Sequence, residues 1–235
     1  MADTNHTEYQ NRLIKNGHFY MDTKTILIIG AGPRVGLSTA SKFFKEGFKI
    51  LLISRDGSRM EKMIKDISGN GQGVSVYEAD VADSNTLLNT FKEIISTHDA
   101  IDVILYNVAH IVQNNILEES EESLVHDYRV NVVGLLTAAK FFSNNLQRTQ
   151  GAILITGGSI AVEPKPDYAS LSMTSAALRS MMDCLAYTLR DKNIYVALLM
   201  IHGSIDDGTR LHSPVSIANM LWGLYRDRLV NEIMI

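Results

Sequence analysis

Three glycines, two arginines and two histidines carry the first chemical information in this sequence. Gly30, Gly32 and Gly36 fall within Gly-Ala-Gly-Pro-Arg-Val-Gly, directly after the apolar run Ile26–Ile29 and ahead of a segment, Leu37 to Phe48, with apolar residues at helical spacing. A glycine turn between a strand and a helix lets backbone N–H groups at the helix N-terminus approach a pyrophosphate, where the helix dipole favours negative charge. The dinucleotide fingerprint is matched one residue out of register, with Val35 where a third glycine is wanted, and a plain tight turn would use the same glycines. Arg34 in this loop and Arg55, after Ser54 at the end of the second apolar run, are able to pair with a ribose 2′-phosphate. A carboxylate in place of Ser54 would instead hold the ribose hydroxyls of NAD, so NADP is the expected cofactor and NAD the alternative. Asp56 counts against that preference, and two solvated surface arginines are the other reading. His110 and His202 each follow an apolar run, where an imidazole could transfer protons, although lone histidines commonly serve as ordinary hydrogen-bonded residues. The seven histidines are scattered, and no cluster of His, Cys or carboxylates has metal-ligand spacing.

The elements that must position these residues follow from periodicity. Strands are expected at Thr25–Ile29, Lys49–Ser54, Val74–Ala79, Asp102–Tyr106, Ala152–Thr156, Tyr195–Ile201 and Glu232–Ile235, and six of the seven are apolar runs without alternation. Between them lie helical patterns at Gly36–Glu46, Ser58–Ile67, Ser84–Thr97, Glu119–Leu146, Tyr168–Asp191 and Pro214–Asp227. This alternation specifies a parallel sheet with helices on both faces, because right-handed crossovers pack back onto the sheet. The expected architecture is α/β: a single-domain Rossmann fold, a doubly wound parallel sheet of about seven strands, over residues 24–235. Residues 1–23 read as a flexible N-terminal extension: polar, aperiodic and with no apolar stretch long enough for a signal peptide or membrane span. Its Asn5-His6-Thr7 sequon has no secretory context.

At 235 residues, 46% hydrophobic and 20% charged with net charge −4, the chain has no basic excess for nucleic acid and no electrostatic partner is implied. The single cysteine, Cys184, excludes a disulfide within the chain and points to a reducing, cytoplasmic compartment; its setting between Met182 and Leu185 reads as a buried small hydrophobe. The acidic run Glu118-Glu119-Ser120-Glu121-Glu122 sits where a helix N-terminus favours negative charge.

Several motifs in order carry a resemblance. The glycine loop, Asp80-Val81 after the third strand, Tyr106-Asn107-Val108-Ala109 after the fourth, Asn131-Val132-Val133-Gly134 in the long helix and Ser175-Ala176-Ala177-Leu178 together resemble the short-chain dehydrogenase/reductase family over residues 24 to 235. Within it the chain is similar to a subgroup whose loop reads Gly-Ala-Gly-Pro and whose fourth strand ends Tyr-Asn. The resemblance implies an oxidoreductase that moves a hydride between a nicotinamide cofactor and a small-molecule carbonyl or alcohol. It places Gly30, Gly32, Arg34, Val35 and Gly36 at the cofactor phosphates, with Asp80 and Val81 at the adenine. Asn107, Val108 and Ala109 come on the nicotinamide side, and Asn131 in a proton relay. Arg34 stands where the family has a second loop glycine.

The family's chemistry uses a tyrosine acid/base whose pKa is lowered by a lysine four residues later on one helical face. Here those positions are Leu171 and Ser175. Tyr168, three residues earlier, is the candidate substitute, with Lys165 or the nicotinamide ribose to activate a phenol whose ordinary pKa is about 10. The family's carbonyl-polarising serine position falls on Gly158 in Thr156-Gly157-Gly158-Ser159, with the adjacent Ser159 as its substitute, although a turn serine often bonds its own backbone. A catalytically silent nucleotide sensor or oligomer subunit is the competing expectation. The segment after the sixth strand, His202-Gly203-Ser204-Ile205, reaches Ser213-Pro214 quickly, so the substrate lid is short. The two long helices carry broad apolar faces, including Met173, Ala177, Met181, Ala186 and Leu189, and by the resemblance they would form a homodimer or homotetramer.

Overall fold

The computed structural model of the chain describes residues 23–206 and 208–235, together with the backbone of 14–15 and 18–19. The expected flexible extension and its sequon lie outside the described residues, except that Ile14–Lys15 and His18–Phe19 pair as a two-residue antiparallel ladder.

Seven parallel strands form one sheet: β1 Thr25–Ile29, β2 Lys49–Ser54, β3 Val74–Glu78, β4 Val103–Tyr106, β5 Ala152–Gly158, β6 Tyr195–Ile201 and β7 Glu232–Met234. Their order is β3-β2-β1-β4-β5-β6-β7. The chain therefore reverses direction across the sheet between β1 and β4, the crevice in which open α/β sheets bind ligands.

The unbroken apolar runs are explained by two cores. Alternate strand residues such as Leu27, Ile29, Ile104 and Tyr106 pack with α3 Ser84–Thr97, α5 Gly134–Thr149 and α6 Ala169–Leu189 on one face. Their neighbours Ile26, Ile28, Val103 and Leu105 pack on the other face with α1 Val35–Lys45, α2 Gly57–Ser68 and α7 Pro214–Asp227. A strand buried on both faces has no polar side to alternate with. On the second face Phe43, Phe48, Trp222 and Tyr225 form an aromatic cluster with centroids 5.2–6.0 Å apart, joining α1 to α7.

Two sequence expectations change. The long helix over Glu119–Leu146 is three pieces: α4 Glu121–Tyr128, a π-helical turn Arg129–Val133, and α5, which runs on to Thr149. Ser120 caps α4 and Glu121 and Glu122 occupy its first turn, so the acidic run serves the helix dipole. Cys184 is exposed. Two residues along a helix turn the side chain about 200° around its axis, so Cys184 points away from the buried Met182 despite its apolar neighbours.

Candidate functional site

The glycine loop is shaped by close backbone approach. Gly30 has φ +81°, and a Cβ there would lie 2.6 Å from the Asn107 carbonyl oxygen; a Cβ on Gly36 would come within 3.1 Å of Ala31 Cα. Both positions admit only glycine without rearrangement, the first for conformation and contact together, the second for contact. Space above Gly32 is open to 4 Å. Side chains of Asp56, Asp83, Ser120 and Ser213 cap α2, α3, α4 and α7, whereas α1 begins at Val35 with no side-chain cap. A helix N-terminus without a side-chain cap, open space over a glycine and a helix dipole together fit a cofactor pyrophosphate.

Asn107 knits the crevice. Its Nδ2 donates to the Gly30 carbonyl at 3.0 Å, and its Oδ1 accepts from Thr156 Oγ1 at 2.9 Å, joining the ends of β1, β4 and β5. Asp80 takes up a turn instead, its Oδ1 accepting from Ala82 N at 2.9 Å, and Val81 is buried beside Ala79. At the end of β2, Ser54 Oγ accepts from Asp56 N. The Asp56 carboxylate accepts from Arg59 N at 2.9 Å and from Ser58, and the Arg59 amide above all holds its pKa below the usual carboxylate value. This acid thus caps α2 through Oδ1. Arg34, the other arginine expected at a 2′-phosphate, lies against the loop after β6. Its guanidinium donates to the Ile205 carbonyl at 3.3 Å, on the loop after β6, whereas Arg55 follows β2 on the opposite side of β1 in the sheet.

Inside the crevice lies a cavity of about 420 Å³, lined by Arg34, Asn107, Val108, Ala109, Ser159 and Tyr168 among others. Asn131, Leu171 and Ser175 line it too, so the sequence-derived positions converge although they come from five separate segments. Gly30, Gly32, Gly36, Ser54, Arg55, Asp80 and Val81 do not line it; they belong to the loop and strand ends beside it. A more open hollow of about 700 Å³, lined by Tyr187, Arg190, Tyr195 and Arg228 among others, contains none of the expected site residues.

Asn131 sits in the π-helical turn, and Tyr106 accounts for that turn. Fully buried, Tyr106 donates its hydroxyl to the Val130 carbonyl at 2.5 Å, and burial pushes its phenol well above the usual range, so it remains a donor. The hydroxyl fills the space where Gly134 lacks a side chain: a Cβ there would meet it at 2.4 Å. Asn131 then accepts from His110 N at 2.7 Å and donates from Nδ2 to Thr174 Oγ1 at 3.0 Å. It ties the loop after β4 to α6.

Tyr168 immediately precedes α6. The turn is stitched by Ser172, whose Oγ accepts from Lys165 N at 3.1 Å and donates to the Tyr168 carbonyl at 2.9 Å. Asn114 N donates to the Asp167 carbonyl at 2.9 Å, bringing the loop after β4 against it. Lys165 and Tyr168 line the same cavity, but no side-chain hydrogen bond joins them among the described residues. Tyr168 has no lysine to activate it by contact.

The two histidines have different surroundings. His110 Nδ1 lies 2.6 Å from the buried Asp127, which also accepts from Ser170 Oγ at 2.5 Å. His202 Nδ1 lies 2.9 Å from Ser159 Oγ. Asp127, Thr156, Ser170 and Thr174 were not singled out as partners from sequence. Asp127–Ser170 and Asn131–Thr174 each span 43 residues, so no local pattern signals either pair. Among the described residues no group of three His, Cys, Asp or Glu side chains could hold a metal ion, and no helix is long and apolar enough to cross a membrane.

Comparison with known proteins agrees with this geometry. Residues 24–211 match the short chain dehydrogenase family. An uncharacterized oxidoreductase of Thermotoga maritima is 24% identical over 75% of this chain and 69% of its own. The 2,3-dihydro-2,3-dihydroxybenzoate dehydrogenase of Bacillus subtilis is 26% identical over 74% and 67%. Among solved structures, a metagenomic short-chain oxidoreductase in complex with NADP superposes with TM-score 0.82 at 19% identity, covering 91% of this chain and 96% of that one. The alcohol dehydrogenase of Thermococcus sibiricus, complexed with 5-hydroxy-NADP, gives 0.80 at 22% identity, covering 90% and 95%.

Proposed function

Since the chain belongs to the short-chain dehydrogenase family, we propose that it is an NADP(H)-dependent oxidoreductase that interconverts a small-molecule carbonyl and its alcohol. The observation that carries this reading is the cavity of about 420 Å³ in which the Ser159 and Tyr168 positions face the crevice beside the uncapped start of α1. Gly30, Gly32, Val35 and Gly36 would hold the pyrophosphate, and Ser54 with Arg55 the 2′-phosphate. Asp80 and Val81 would flank the adenine, and Asn107, Val108 and Ala109 the nicotinamide side. The cofactor would supply or take up a hydride at the substrate carbon. The chain's own task is to hold the substrate oxygen and manage its proton. Ser159 and Tyr168 contribute two hydroxyl donors facing that oxygen, and Asn131 positions the cavity wall by joining His110 to Thr174. The NADP-bound and 5-hydroxy-NADP-bound neighbours support the choice of nucleotide, as does the use of Asp56 Oδ1 in capping α2.

Parallel calorimetric titrations with NADPH and NADH test the reading first. NADPH binding in the micromolar range, tighter than NADH, followed by turnover in a screen of carbonyl substrates, is the expected result. A second reading follows from the resemblance, by which Leu171 and Ser175 would stand where the family has its tyrosine and lysine. A catalytically silent nucleotide sensor would bind NADPH yet turn over no carbonyl. We further propose a homo-oligomer through α5 and α6, which light scattering would detect.

A further inference from the structure

We propose that Ser159 and His202 form a proton wire between solvent and the cavity, and that this wire takes over the acid–base task for which Leu171 and Ser175 are unsuited. The inference rests on the oxidoreductase reading above.

The pair arises from strand register. Gly158 of β5 lies opposite Ile201 of β6, so Ser159 and His202 are the next residues beyond the paired ends of two adjacent parallel strands. His202 is anchored there by its backbone N–H, which donates to the Ile235 carbonyl at 2.7 Å. Ser159 is only 7% exposed and lines the cavity. The His202 side chain is 57% exposed and is not part of the lining. A 2.9 Å contact from Oγ to Nδ1 thus connects an enclosed hydroxyl to an imidazole that reaches water with its other edge. Glu163 Oε2 lies 3.9 Å from the same Nδ1. Among the cavity-lining residues, Tyr168 has no partner of this kind.

The proton steps balance as follows. In reduction, the Ser159 O–H bond breaks as a new O–H bond forms on the substrate oxygen, while the carbon takes a hydride of the kind a dihydronicotinamide supplies. The Nδ1–H bond of the His202 imidazolium then breaks, restoring the serine hydroxyl. The ring is left neutral with its proton on Nε2, and the proton that restores the imidazolium passes from water to Nδ1 once the exposed ring turns away from Ser159. In alcohol oxidation each transfer runs backwards. An exposed imidazole is suited to this because it exchanges protons with water and can give one up at Nδ1. Ser159 is the catalytic residue of the pair, and His202 is a positioning residue that acts through it.

Two measurements test the wire. In the cofactor-free protein, the imidazole nitrogens of His202, assigned by their loss in His202→Gln, should report a single tautomer with Nδ1 accepting from Ser159 at alkaline pH. Ser159→Ala should release that preference; an unchanged tautomer in Ser159→Ala would overturn the wire. In the loaded enzyme, His202→Gln keeps a hydrogen-bonding side chain but cannot shuttle a proton. It should lower kcat by ~10²-fold, with NADPH affinity and substrate KM unchanged and with partial rescue by added imidazole. Full kcat in His202→Gln would overturn the wire alone. A wild-type protein that binds NADPH and turns over no carbonyl would overturn the oxidoreductase reading and the wire together.

Discussion

At the scale of single residues, Tyr106 shows how one side chain decides the geometry of a site it does not enter. A π-helical turn leaves carbonyl groups out of the regular ladder, and Tyr106 supplies the donor for Val130. Tyr106→Phe should leave that buried carbonyl unpaired and cost about 1–3 kcal/mol, measured as a lower midpoint of thermal unfolding; an unchanged midpoint would mean that the turn has another source of support. Tyr168 belongs to the same scale. Tyr168→Phe removes one of two donors facing the substrate oxygen, so kcat should fall by ~10²-fold while NADPH affinity holds. A rate equal to wild type would leave Ser159 as the only hydroxyl needed there.

At the scale of elements, the β1–loop–α1 unit combines a folding constraint with a binding one. Gly30 takes a positive φ and lies against the Asn107 carbonyl, and Asn107 returns a bond to the Gly30 carbonyl. Gly30→Ala would add a left-handed backbone penalty of about 1–2 kcal/mol to a steric overlap. The expected outcome is a fall of several degrees in Tm together with loss of NADPH binding by calorimetry, because the loop and the strand end beside it must shift jointly. Binding retained at full strength would show that the loop's shape does not depend on this contact. The short bonds stitching Lys165, Tyr168 and Ser172 make the turn before α6 a comparable unit. That turn fixes where Tyr168 leaves the helix, a position that helical periodicity alone describes only approximately.

At the scale of the whole molecule, the doubly wound sheet couples its edges to its stability. His98 follows α3, and Tyr77 of β3 meets its Nε2 at 3.2 Å. Burial, followed by the nearby Lys49 ammonium, lowers the His98 pKa below its ordinary value of 6.5. The unfolded chain therefore binds the proton more readily than the folded one, and this contribution to stability is complete above the ordinary histidine pKa and is lost as the pH falls below it. Unfolding free energy measured by denaturant titration should decline from pH 7 to pH 5, and His98→Gln should reduce that slope; an identical slope would assign the acid sensitivity elsewhere. Much of the apolar surface on α6 that reads from sequence as a partner face is used internally, with Met181 and Ala186 packed against the core and Leu189 buried. Tyr187 and Cys184 remain exposed, so a face is available, but it is narrower than the sequence pattern implies.

The strands β1, β2 and β6 and the helices α3 and α7 were legible in the sequence to the residue, because unbroken apolar runs and helical periodicity are local consequences of burial on two faces or one. The glycine loop was legible for the same reason: strand, turn and helix are contiguous in the chain. Other features depended on which distant segments become neighbours. Arg34 and Arg55 read from sequence as a pair for a 2′-phosphate, and nothing local announces that Arg34 meets a carbonyl 171 residues away. Ser159 and His202 were each visible as strand-end residues, but only the register of β5 against β6 brought them within 2.9 Å. The break in the long helix was hidden because its cause, the Tyr106 hydroxyl, comes from a strand 24 residues earlier. Periodicity and glycine spacing are properties of the chain itself, whereas a hydrogen bond between remote side chains exists only after the sheet has set which strand ends stand side by side.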